Sequence, residues 1–563
     1  MKYEEFPYKR LDKQESINVV NDLIKQLNTT STADQQIDIM LKMNTFIAEH
    51  HSYEAMVELN YARNINSKPF KLEKEYYDDL SPTFKDLINR FSKAVLKSPF
   101  LPDLKLKFGN HYFNIKKTEQ KTFHPNIMEM LKEETKLENE YTHIIASAKI
   151  NYKGETYNLS GLGPFHSDAN REVRKSSYDA RFSFFEEHAN ELDNLYDKMV
   201  KLRTEIAKKL GFNNYIELGY ARLGRTDYGA NEVEGFRKQI VDYIVPLVQK
   251  LNKKKKEVLG LDKLYFYDSI LFKDGNPKPQ GSPNDLVEYA KKMYNELSPE
   301  TGQFFEMMVN ENLIDLVNRQ GKMGGGFCTA FPTYDRPYIF SNFNGTAHDV
   351  TVLTHEAGHA FQCYSSRKQP LVEYLWPTLE ACEIHSMSME FLTWPWMDLF
   401  FKDKSEKFKY MHIVDSLSFL PYGACVDHFQ HWVFENPEAT PKERKNKWSE
   451  LESIYLPDRD YDDLAFPKSG GIWQGQLHIY QMPFYYIDYT LAQTCAFQFW
   501  IKSQENMESA WEDYLRLCKV GGSMPFTKLT ELANIKSPFS DGILKSVSEH
   551  VYKWLEGIDP ESL

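Results

Sequence analysis

Val352-Leu353-Thr354-His355-Glu356-Ala357-Gly358-His359-Ala360-Phe361 reads as one turn-rich helical stretch carrying the pattern H-E-x-x-H. On a helix, residues four apart share a face, so His355 and His359 present two imidazoles to a single metal ion. Glu356 then sits beside them, next to a water that such an ion would polarise. This is the donor arrangement of a zinc hydrolase. The competing reading is two surface histidines flanking a solvated glutamate, and a third ligand decides between them.

Catalytic zinc usually takes three protein ligands and leaves a position for water. After the break at Pro377, Thr378-Leu379-Glu380-Ala381-Cys382-Glu383-Ile384-His385-Ser386-Met387-Ser388-Met389-Glu390 repeats a helical pattern. Glu380, Glu383 and Glu390 share one face among apolar neighbours that include Met387, Met389, Phe391 and Leu392. Burying three carboxylates is costly unless they bind something. By spacing alone all three remain candidates.

H-E-x-G-H followed one helix-loop-helix later by E-x-x-S-x-x-x-E resembles the thimet-oligopeptidase family of zinc metallopeptidases, especially its oligoendopeptidase F and Pz-peptidase branch. The resemblance implies that Glu383 is the third ligand, with Ser386 and Glu390 completing the pattern and Glu380 as second choice. A thermolysin-like chain would carry an aspartate four residues after the ligand glutamate, where this one has Met387. The resemblance spans about residues 170 to 550, with Arg203 to Tyr220 similar to the opening of the family's catalytic region. It implies a mainly α, multi-helix fold with a small sheet beside the active-site helix and a deep substrate channel. It further implies one Zn²⁺ per chain and endopeptidase action on short unstructured peptides, because such a channel excludes folded chains.

The length of 563 residues, with 26% charged and 42% hydrophobic, is an ordinary globular balance. A net charge of -12 argues against general nucleic-acid binding, which needs a basic surface. Six cysteines lie scattered without C-x-x-C spacing, and the two within the catalytic stretches read as small core residues. No run of eighteen apolar residues occurs, and the acidic start Met1-Lys2-Tyr3-Glu4-Glu5 does not read as a signal peptide, so a cytoplasmic location with no membrane partner is expected. Oligomeric state stays open.

In chain order, Ser31-Thr32 is expected to cap a helix, and Ser81-Pro82 to start another. Leu104, Leu106 and Phe108 alternate with lysines like a strand, and Ala148 to Leu159 reads as a hairpin turning at Lys153-Gly154. Arg171 to Phe185 and Glu191 to Leu210 read as helices, the second stopped by Gly211, and Tyr265 to Tyr267 as a short strand. The boundary is placed near 190, with residues 1–190 an N-terminal helical region and 191–563 the catalytic region.

Lys322-Met323-Gly324-Gly325-Gly326 lacks the spacing of a nucleotide loop. Gly324, Gly325 and Gly326 instead suit an edge strand that an extended peptide can approach closely, and they match a glycine-rich strand of the resembled family. Asp349 reads as a first-turn helix charge, and His428 and His431 as ordinary helix histidines. Peptide hydrolysis also needs a donor for the developing oxyanion. From the resembled family, that role passes to His478, Tyr486 and Tyr489, with Tyr485 or Tyr480 as substitutes and Tyr485 also a substrate contact. A zinc carboxypeptidase and a silent peptide-binding protein are the alternatives.

Overall fold

The computed structural model describes residues 1–563 and is mainly helical. Nine of the helices are labelled in chain order: α1 (Ala33–Arg63), α2 (Lys68–Leu96), α3 (Leu101–Phe108), α4 (Arg171–Lys209), α5 (His348–Ser366), α6 (Leu379–Leu392), α7 (Ser405–Glu435), α8 (Tyr486–Glu505) and α9 (Met507–Val520). Strands β1 (Ile150–Tyr152) and β2 (Glu155–Tyr157) form a hairpin, with Lys153 and Gly154 at its turn as expected and both at positive φ. Strands β3 (Ile314–Val317), β4 (Phe327–Phe331) and β5 (Arg336–Phe343) form the second sheet in the order β3-β5-β4.

Two compact units share the chain. One comprises Met1–Lys121, Pro279–Phe400 and Lys502–Ile535; the other comprises Thr122–Lys278, Phe401–Ile501 and Lys536–Leu563. Neither changes at residue 190. In the first unit the N-terminal helices pack against the segment that joins α5 to α6: Ile47, Phe84, Phe91, Leu104 and Phe108 share a core with Leu371 and Tyr374. The Tyr374 hydroxyl donates to Phe108 O at 2.7 Å and accepts from Tyr112 N at 3.1 Å, so a buried phenol satisfies the chain end of α3.

Helix α1 starts where expected, with Thr32 accepting from Gln35 N. Several local expectations fail for identifiable reasons. Residues 101–108 are helix α3, not a strand: Leu104 and Phe108 are buried four apart, while Leu106 between them is 90% exposed. Pro82 lies inside α2, which is capped fifteen residues earlier by Ser67 accepting from Phe70 N. Helix α4 runs unbroken through the expected gap at 186–190, where no glycine or proline interrupts it, and ends at Gly211 (φ +85°) with Phe212 N bonded to Ala207 O at 3.0 Å. Tyr265 to Tyr267 form a turn, tied by Phe266 N to Asp460 O at 2.6 Å.

In the second sheet, β3 runs parallel to β5, and β4 antiparallel to it with Thr329 opposite Tyr338. Strand β4 is therefore an outer strand. Gly324, Gly325 and Gly326 form a bend that leads into β4 and are not part of the strand itself. Gly325 sits at φ +90°, which favours glycine, and Asn342 Nδ2 holds the bend by donating to Met323 O and Gly325 O, both at 2.8 Å. Lys322 is buried as a peg, donating to Asp315 O, Val317 O and Ser341 O and pairing with Asp315 Oδ1 at 2.8 Å. It carries no nucleotide chemistry.

Candidate metal centre

Helices α5 and α6 approach closely because of Gly358. A Cβ there would lie 2.6 Å from His385 O and 2.7 Å from the Cα of Ser386, both backbone atoms of α6. The contact sets His355 and His359 of α5 against Glu383 of α6. His355 Nε2 lies 3.3 Å, and His359 Nε2 3.4 Å, from Glu383 Oε2. One donor atom from each of the three lies within 4.8 Å of the others, an arrangement that can hold a metal ion. Two imidazoles and a carboxylate are the donor set of a catalytic zinc site, and the residues fit that ion.

Surrounding groups fix the donors. Ser386 Oγ donates to Glu383 Oε2 at 2.9 Å, and His355 Nδ1 meets Glu390 Oε1 at 2.7 Å. With its Nδ1 engaged by a carboxylate, His355 turns Nε2 toward the shared centre. Burial alone would push the Glu383 carboxyl up, but the imidazoles of His359 and His355 hold it well below the usual range. Glu356 differs. It is 7% exposed, its Oε2 is buried without a hydrogen-bond partner, and burial pushes its carboxyl up against the pull of His355 and His359.

Asp349 begins α5 as a cap for the preceding loop, accepting from Asn344 N and Gly345 N, and is not brought to the three donors. Glu380 is likewise outside the three-residue donor set. The roles of Ser386 and Glu390 as supports were not readable from spacing. Their signal in the sequence was the E-x-x-S-x-x-x-E pattern of the resembled family.

In the second unit, the rings of His478, Tyr485, Tyr486 and Tyr489 cluster: those of Tyr486 and Tyr489 lie 5.0 and 5.8 Å from His478, and Tyr485 lies 4.9 Å from Tyr489. All four are half-buried. Tyr480 is not among them. It is fully buried, stacked on Tyr141 at 4.0 Å, and its hydroxyl donates to Leu192 O, so it is a core residue. Phe484 turns the chain into α8 from a left-handed backbone conformation (φ +69°), which only firm anchoring sustains. Its N donates to Gln430 Oε1 at 3.0 Å and its O accepts from Arg225 Nη2 at 2.6 Å. His431 is tied to Asp427, Arg237 and Tyr220 within this unit.

The profile of peptidase family M3 matches residues 165–549, and that of the Peptidase M3 N-terminal domain matches residues 3–123. The chain belongs to peptidase family M3. Among solved structures, Pz peptidase A with an inhibitor is 48% identical over 100% of both chains, with a TM-score of 0.96. Among curated relatives, the oligopeptidase PepF of Bacillus subtilis is 21% identical over 64% of this chain and 53% of its own length. An oligoendopeptidase F homologue of Borreliella burgdorferi is 25% identical over 64% of this chain and 61% of its own. This M3 chain thus spans about half to three fifths of the length of those curated relatives. None of its six cysteines forms a disulfide, five of them are buried, and no helix is long and apolar enough to cross a membrane.

Proposed function

We propose that this chain is a zinc-dependent oligoendopeptidase that hydrolyses internal bonds of short, unstructured peptides. The observation that carries the reading is the pairing of three convergent donors, His355, His359 and Glu383, with a buried and unpartnered carboxylate oxygen on the adjacent Glu356. Zinc held by those three residues supplies Lewis acidity toward a water and a peptide carbonyl.

The chain's own groups do the rest. Glu356 Oε2 takes the proton of the attacking water and delivers it to the leaving amine, a role suited to a carboxyl raised by burial. Glu390 keeps His355 in the required tautomer. The outer strand β4 offers main-chain N–H and C=O groups to an extended peptide, and the bend at Gly324, Gly325 and Gly326 keeps side chains out of the approach. His478, Tyr486 and Tyr489 are the proposed donors to the oxyanion, with Tyr485 contacting substrate; their clustering and the resemblance to M3 peptidases support this.

The test is a mixture of peptides of graded length, some blocked at both ends and some with a free C-terminus, incubated with and without a chelator and read by mass spectrometry. Internal cuts in short peptides, lost with chelator, are expected. Cleavage confined to peptides with a free C-terminus would make it a carboxypeptidase, and peptide binding with neither cleavage nor zinc, the latter read by metal analysis, would make it a peptide-binding protein.

A further inference from the structure

Between α1 and β4 lies a groove of about 340 Å³. Its walls differ in chemistry. Val372, Leu375 and Trp376 line it with apolar surface, α1 contributes the carboxylates of Glu54 and Glu58, and Thr329 belongs to the strand side. The strand side of the groove starts beside the metal helix. A Cβ on Gly326, just before β4, would lie 3.4 Å from Val352 of α5, and the charge of Glu356 bears on the Cys328 thiol. A peptide extended along β4 points alternate side chains to opposite faces, so one set faces this groove.

The two carboxylates are not equally satisfied. Glu58 Oε1 has Lys74 Nζ at 2.9 Å. The ion-pair contact of Glu54 is a long 3.7 Å to His50 Nδ1, and burial together with His51 pushes that imidazole down to about 3, leaving it neutral. Burial likewise pushes the His51 imidazole down. Lys85 and Lys74 act on Glu54 through space, but burial and the like charge of Glu58 outweigh them and raise its carboxyl. Glu54 is 31% exposed, so an incoming cation can reach it. Apolar walls leading to an under-compensated carboxylate match a long aliphatic stem that ends in a cation, and an indole beside the path adds attraction for that cation.

We propose that this groove is a substrate subsite for a basic side chain, lysine or arginine, with Glu54 as its specificity-determining residue. The proposal rests on the peptidase reading, since it places the peptide on β4. Blocked peptides with lysine, acetyl-lysine, norleucine or glutamate scanned through each position test it by kcat/KM. At one position the parent should cut the lysine peptide about five- to tenfold faster than the acetyl-lysine or norleucine peptide. Glu54→Gln should bring that ratio close to one, and Glu54→Lys should favour glutamate. Anisotropy binding of the same peptides to Glu356→Gln protein reads the subsite separately from turnover, so a failure of catalysis does not hide it. A lysine-to-norleucine ratio at every position that Glu54→Gln leaves unmoved in both assays overturns the proposal.

Discussion

Glu356 and Glu390 are both buried glutamates beside His355, yet their contacts differ. Glu356 has an oxygen without a partner, while Glu390 is spent on an imidazole nitrogen. Glu356→Gln should therefore retain zinc, measured by metal analysis, while turnover falls by about 10²- to 10⁴-fold, the range for a general acid–base group. A variant that cuts as fast as the parent removes Glu356 from the mechanism. Glu390→Ala should instead weaken zinc by about 10- to 100-fold in a competition with a chelating dye, because His355 loses the group that orients it. The imidazole pair was readable in the sequence because both donors lie on one helix, where the spacing of four is the geometry. Glu383 was not separable from Glu380 and Glu390 by spacing, since choosing among them depends on how α6 rolls against α5.

That roll is set by the close approach at Gly358. Gly358→Ala puts a methyl against two backbone atoms of α6 that cannot swing aside, so the helices must part. We expect a loss of about 1–3 kcal/mol in stability, read as a lower Tm, together with weaker zinc binding. An unchanged Tm and unchanged zinc affinity would show that the helices have room to spare. The same limit explains α3. Leu104, Leu106 and Phe108 alternate as a strand does, and only packing shows that Leu106 faces solvent while the other two enter the core. Pro82 misleads for a related reason: a helix buried along one stripe, with Leu80, Phe84, Leu87 and Phe91 inside, tolerates a proline that an isolated helix would not.

Away from the candidate metal centre, several buried carboxylates are matched to cations. Burial pushes Glu134, Asp268 and Asp427 up, but Arg203 and Arg222, Arg171 and Arg174, and His431 and Arg237 respectively hold each below the usual carboxylate range. A carboxyl whose folded pKa is depressed contributes stability above its unfolded value, about 4, and loses it as pH falls through the folded value. Stability should therefore fall as pH drops below about 4, which denaturation followed by circular dichroism at stepped pH will show. Asp427→Asn, which leaves Arg237 buried without its charge partner, should cost about 3–5 kcal/mol at neutral pH and lower Tm. Chelation should abolish cleavage while leaving far-ultraviolet circular dichroism unchanged, because packing at Gly358 holds α5 against α6 whether or not an ion is bound.

Several features set by neighbours along the chain were legible in the sequence: the H-E-x-x-H face, the cap at Thr32, the hairpin turn at Lys153-Gly154 and the stop at Gly211. Short-range spacing decides such features, since a helix or a tight turn is closed by residues a few positions apart. Folding in three dimensions decided the partners of those faces: that Glu383 meets the two histidines, that Glu390 supports one of them, that Tyr480 is core while its neighbours cluster with His478, and that the two compact units interleave along the chain. Those outcomes follow from which surfaces pack together over long separations, and a one-dimensional pattern does not carry that information.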